Sequence, residues 1–176
     1  MSADRLPPIP PEQWTEAQRR EAEAMIAGPR GAVLAPFVPL LRSHELAGIV
    51  QRLGGYLRYR SAMGPRLTEL AILVVARHYA QPIEWTIHVP IALREGIAPA
   101  TIDAIERGQH PSDAPEDDIL VHDFCHELLQ GRGQVGDALW ARATERLGEP
   151  GVVDLIATCG YYGMLALVMN AARTKA

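Results

Sequence analysis

The sequence predicts an all-α protein, organised as a compact helical domain. Three observations carry this. Apolar residues recur at three- and four-residue spacing, glycine and proline separate the recurring segments at helix-like lengths, and period-two alternation is sustained nowhere. A chain of 176 residues fits one domain over 1–176. With 48% hydrophobic and 22% charged residues it has a globular composition. A net charge of −4 lacks the basic stripe that phosphate backbones require, so nucleic acid is not an expected partner.

Pro7, Pro8, Pro10 and Pro11 predict an extended arm over 1–12. Thr15, followed by Gln18, reads as a capping box that opens a helix to Ala27, stopped by Gly28-Pro29 and Gly31. Ala35-Pro36-Phe37-Val38-Pro39 is an apolar connector with room for one helical turn. Ser43 caps a helix to Arg60, with Leu46, Ile49, Val50, Leu53 and Leu57 on one face. Gly64-Pro65 begins the next, and Leu67 to Tyr79 is apolar nearly all round, the mark of a central helix. Ile72 to Val75 is β-prone, but the length and surroundings of the segment favour helix. Further helices are expected over 83–95, ending at Gly96, and over 99–107, 116–130, 137–147 and 152–172, with a turn-rich loop at His110 to Pro115.

Gly151 to Ala172 is nearly long enough to span a membrane. Asp154 interrupts it and two tyrosines sit near its middle, so a buried core or interface helix is expected and no membrane association. The N-terminal stretch has no apolar secretory region. Cys125 and Cys159 form neither a CxxC pair nor a zinc spacing and read as buried small hydrophobes, a usage suited to the reducing cytoplasm.

Chemistry concentrates in Arg66, Glu69, Arg77, His78, Tyr79, Glu84, Trp85 and His88. Glu84 and His88 share a helix face, as do Arg66 and Glu69. A carboxylate at Glu69, among apolar neighbours in what should be the most buried helix, needs a partner or a raised pKa, and both conditions recur in active sites. The competing reading is a set of ordinary helix ion pairs on a solvated face. His122 and His126 stand four apart, as a zinc pair would. However, Asp123 replaces the Glu of HExxH and no third ligand is identifiable, so no metal is expected.

Arg66-Leu67-Thr68-Glu69-Leu70-Ala71-Ile72-Leu73-Val74-Val75-Ala76, then Glu84-Trp85-Thr86-Ile87-His88, then Gly96-Ile97, resembles the signature of the carboxymuconolactone decarboxylase family, which includes the alkylhydroperoxidase D-type proteins. The resemblance is strongest over 66–102 and continues weakly through Glu127-Leu128, Gly148-Glu149 and Gly160-Tyr161-Tyr162. In the peroxidase branch a glutamate, a CxxC pair and a histidine form a proton relay. Glu69 matches that glutamate and His88 that histidine, while Gln81 and Glu84 occupy the cysteine positions. Thiolate chemistry cannot run there without a thiol.

The resemblance implies a helical fold, trimers or hexamers with sites near subunit contacts, and a cofactor-independent decarboxylation of a small carboxylated lactone. The arm Leu6 to Pro11 has the reach to embrace a neighbour. On this reading His88 is the general acid, Glu84 its orienting or proton-exchanging partner, and Glu69 a buried relay. Arg66 or Arg77 would meet the substrate carboxylate or neutralise Glu69, and Trp85 would line the pocket or pack. Two alternatives stay open: a redox enzyme in which Cys125 or Cys159 folds close to His88, and a non-catalytic protein that binds a small acidic or aromatic ligand.

Overall fold

The structure, a computed structural model, describes residues 3–28 and 31–175. It is all-α. Among the described residues there are eight α-helices, one 3-10 turn at Pro11–Gln13 and no strand. The helices are α1 (Glu16–Ala27), α2 (Phe37–Leu40), α3 (His44–Tyr59), α4 (Gly64–His78), α5 (Pro82–Arg94), α6 (Pro99–Glu106), α7 (Glu116–Gln130) and α8 (Asp137–Ala172). The chain divides into two compact units, Met1–Gly55 with Leu165–Ala176, and Tyr56–Met164.

In the first unit the Thr15 side chain accepts from the Gln18 N–H while the Gln18 side chain accepts from the Thr15 N–H, the reciprocal cap that the sequence predicts. Pro29, part of the expected stop, and Met1 and Ser2, the start of the expected arm, lie outside the described residues. The rest of the arm is tied to its own chain. The Arg5 N–H donates to the Ala172 carbonyl at 2.8 Å, the Arg42 guanidinium to the Pro7 carbonyl at 2.6 Å, and Trp14 Nε1 to the Ile9 carbonyl at 2.9 Å. The apolar residues of α3 do not share one fate. Ala47 and Val50 are buried, whereas Leu46, Ile49 and Leu53 are 42%, 51% and 44% exposed. Spacings of three and four place residues on a common side of a helix, yet a stripe that wide meets the core along only one edge.

In the second unit α4 is the hub, packing against α5, α6 and α7. All ten residues from Leu67 to Ala76 are buried, as a helix that is apolar all round requires. Pro65 lies in its first turn and Arg77 and His78 in its last, where cations suit the helix C-terminus. The Gln81 side chain caps α5 by accepting from the Ile83 N–H at 2.9 Å, and Gly96 closes α5 at φ 89°.

The two helices expected over 137–147 and 152–172 are both present as the two segments of α8, which meet at Gly148, whose φ 70° and ψ 164° are not helical. Pro150 follows and needs no N–H donor at the start of the second segment. By length and composition α8 could cross a membrane, but 61% of its most apolar window is buried inside the protein.

Candidate functional site

Three side chains on α4 and α5 meet inside the second unit. His88 Nδ1 lies 2.6 Å from Glu69 Oε2, and His88 Nε2 lies 3.2 Å from Glu84 Oε2. The three residues are only 3%, 2% and 3% exposed for Glu69, Glu84 and His88. Local structure explains the approach. Glu84 and His88 are one turn apart on α5, so their side chains stack on one face. Glu69 reaches them because α4 lays its buried face on α5.

Arg58, near the end of α3, joins the cluster, with its Nε 3.5 Å from Glu69 Oε1. Counting ordinary charges with His88 protonated, the cluster holds two negative and two positive groups, the balance a buried ionic set needs. Burial by itself lowers the pKa of His88, but the hydrogen bonds and negative charges of Glu69 and Glu84 outweigh it and raise the value. In the protonated ring Nδ1–H donates to Glu69 and Nε2–H to Glu84. Tyr162, on α8, sets its ring edge-on to His88 with centroids 5.2 Å apart. Burial pushes its phenol pKa well up, against the opposing pull of Arg58, so Tyr162 stays a neutral hydroxyl at physiological pH. Glu84 Oε1 is buried and accepts no hydrogen bond from the protein. A buried carboxylate oxygen left in that state is an open acceptor position for a ligand or for water.

The other sequence candidates lie elsewhere. Arg66 bonds Asp118 on α7 rather than Glu69. Spacing along α4 places Arg66 and Glu69 on one side of the helix, but α7 packs against α4 and presents a fully buried carboxylate. Arg77 is exposed at the end of α4, and its Nε donates to the Glu106 carbonyl at 2.7 Å. Trp85 is half-buried and shares with Arg77, Pro82 and Glu106 the wall of a cavity of about 190 Å³. The sequence reading had missed Arg58 and Tyr162 as members of the cluster. Tyr162 had a signal, a tyrosine pair inside an apolar helix. Arg58 had none, standing beside Tyr59 and Arg60 in what reads as an ordinary helix end.

The two thiols meet each other, with Sγ atoms 3.4 Å apart and both side chains buried. The hydrogen bond shared with Cys159, and burial, push the Cys125 thiol pKa well up, the opposite of what a thiolate nucleophile needs.

No protein-family model matches the chain, and no curated protein matches its sequence. Fold and geometry together define an all-α protein that carries a buried, charge-balanced Glu–His–Glu–Arg cluster.

Proposed function

We propose that the chain is a cofactor-independent lyase or isomerase of the carboxymuconolactone decarboxylase type, with His88 as its acid–base group and a small carboxylated lactone as its substrate. The observation that carries this reading is the His88 imidazole held between two carboxylates and shielded from water. A raised imidazole pKa keeps a proton on the ring near neutral pH, while two carboxylates stand ready to stabilise or replace it.

In the reaction, the bond between a ring carbon and the substrate carboxylate breaks and carbon dioxide leaves. The released electron pair passes into the conjugated lactone as an oxyanion, and His88 delivers a proton to a ring carbon. A C–H bond thus replaces a C–C bond, with one proton consumed and no oxidant or reductant required. Glu84 orients the ring and returns its proton. Glu69, held by Arg58, fixes the opposite ring nitrogen. With Arg66 engaged by Asp118, the role of anion partner near the cluster passes to Arg58.

Self-association as a trimer or hexamer belongs to the same reading, supported by the exposed Leu46, Ile49 and Leu53 on α3. Light scattering should report an oligomer, and a monomer at micromolar concentration would count against it. Two free thiols in contact suit a reducing compartment, so cytoplasmic residence is part of the reading.

The test of function is a panel of carboxylated butenolides assayed for carbon dioxide release. Release from at least one member above its spontaneous rate is expected. No release from any member would remove the decarboxylase reading.

A further inference from the structure

Four of the six histidines of the chain, His78, His110, His122 and His126, line one cavity of about 530 Å³ in the second unit, together with Arg77 and Asp123. None of these residues is used by the proposed reaction. Within the cavity wall, potential ligand atoms of His110, His122 and Asp123 all lie within 4.8 Å of one another. Two imidazoles from different parts of the chain converge on a single carboxylate oxygen. His110 Nε2 and His122 Nδ1 stand 2.9 Å and 3.0 Å from Asp123 Oδ1.

We propose that His110, His122 and Asp123 form a binding site for one divalent transition-metal ion of the zinc type, open to the cavity they line. Zinc sits roughly 2.0–2.2 Å from imidazole nitrogen and carboxylate oxygen, which puts tetrahedral ligand atoms about 3.3 Å apart. The two imidazole–carboxylate separations are a few tenths of an ångström shorter, as expected where these groups hydrogen-bond one another, and the candidate nitrogens of the two imidazoles lie within 4.8 Å of each other. Small outward shifts would admit the ion, and His110, on the exposed loop after α6, is free to make one.

The donor set argues for the kind of ion. Two imidazoles and a carboxylate suit zinc, nickel, cobalt or iron better than magnesium or calcium, which favour all-oxygen sets. Supporting contacts orient the rings as ligating histidines require. Ser112 Oγ lies 2.9 Å from the remaining nitrogen of His110. The His126 ring stacks on His122 at 5.9 Å with 15° between planes. Three protein ligands with a vacant side toward a cavity are the pattern of a site that exchanges water or substrate, not of a closed structural site. A small anion reaching the ion would also meet Arg77 in the same cavity wall.

The site is tested with zinc alone, read by occupancy and not by turnover, so its outcome is independent of the decarboxylase reading. The full chain, purified without metal-affinity resin, is stripped with chelator, desalted and titrated calorimetrically with zinc chloride. One zinc per chain is expected. His110→Ala and Asp123→Asn should each weaken binding by at least about tenfold, with circular dichroism and melting of the apo protein unchanged, while His44→Ala binds as the wild type does. Wild-type binding far below one ion per chain would overturn the proposal. So would zinc affinity that survives both substitutions, or that is lost instead in Cys125→Ser, which would place the ion on the thiols.

Discussion

Arg58 and Glu69 form a buried ion pair across 3.5 Å, joining the last turn of α3 to the buried run of α4. The Arg58 side chain is only 11% exposed and that of Glu69 only 4%, so neither charge can fall back on water if the other is removed. Such pairs contribute little net stability when intact but are costly to break from one side. Arg58→Met should therefore destabilise the fold by about 3–5 kcal/mol in urea unfolding. Adding Glu69→Gln to that variant should recover part of the loss, because the stranded charge goes with it. Strictly additive losses would show that the two side chains are not coupled.

The raised pKa of His88 has a defined consequence for stability against pH. A group that holds its proton more tightly when folded contributes fully below its unfolded pKa, about 6.5 for histidine. That contribution is lost as the pH rises through the higher folded value. Urea midpoints measured from mildly acidic to mildly alkaline pH should decline over this window, and His88→Gln should flatten the decline. A profile unchanged by His88→Gln would mean that the histidine does not gain its proton affinity on folding.

Gly148 marks the break in α8 with a backbone conformation essentially reserved for glycine. A Cβ placed there would find room, with its nearest neighbour Pro150 Cδ 3.7 Å away, so strain comes from the backbone and not from collision. Gly148→Ala should cost about 1–3 kcal/mol by thermal or urea unfolding. No measurable loss would indicate that the two segments of α8 can rejoin through a helical conformation.

Much of this was legible in the sequence. The run Leu67 to Ala76 announced a central helix, and length together with proline and glycine punctuation decided correctly against a strand. Glu84 and His88 announced their shared face through four-residue spacing alone. Glu69 was suspect because its carboxylate stood among aliphatic residues, and burial confirms the cost that makes partners necessary. Partners between helices were harder. Asp118 stands with Glu116 and Asp117 in the first turn of α7, and only the packing of α7 on α4 reveals that it claims Arg66.

Glu69 in Thr68-Glu69-Leu70 and Asp154 in Val153-Asp154-Leu155 are both buried acids that bond to the end of α3 or to the residues just after it. Glu69 pairs with Arg58, while Asp154 accepts from the Tyr56 hydroxyl at 3.1 Å and the Ala62 N–H at 2.8 Å. His110 escaped notice as a neighbour of His122 because a turn-rich loop, not a helical spacing, carries it across to α7. Loop paths cannot be read from periodicity.

The central claim is that the proton carried by His88 does chemistry as well as balancing charge. Its most direct test is the turnover of His88→Gln on a carboxylated lactone from which the wild type is first shown to release carbon dioxide. Circular dichroism should establish that the variant is folded. The account predicts that kcat falls by about 10²–10⁴, the range for loss of a positioned acid or base. A folded variant that releases carbon dioxide as fast as the wild type would contradict it and leave the cluster a structural feature of the core.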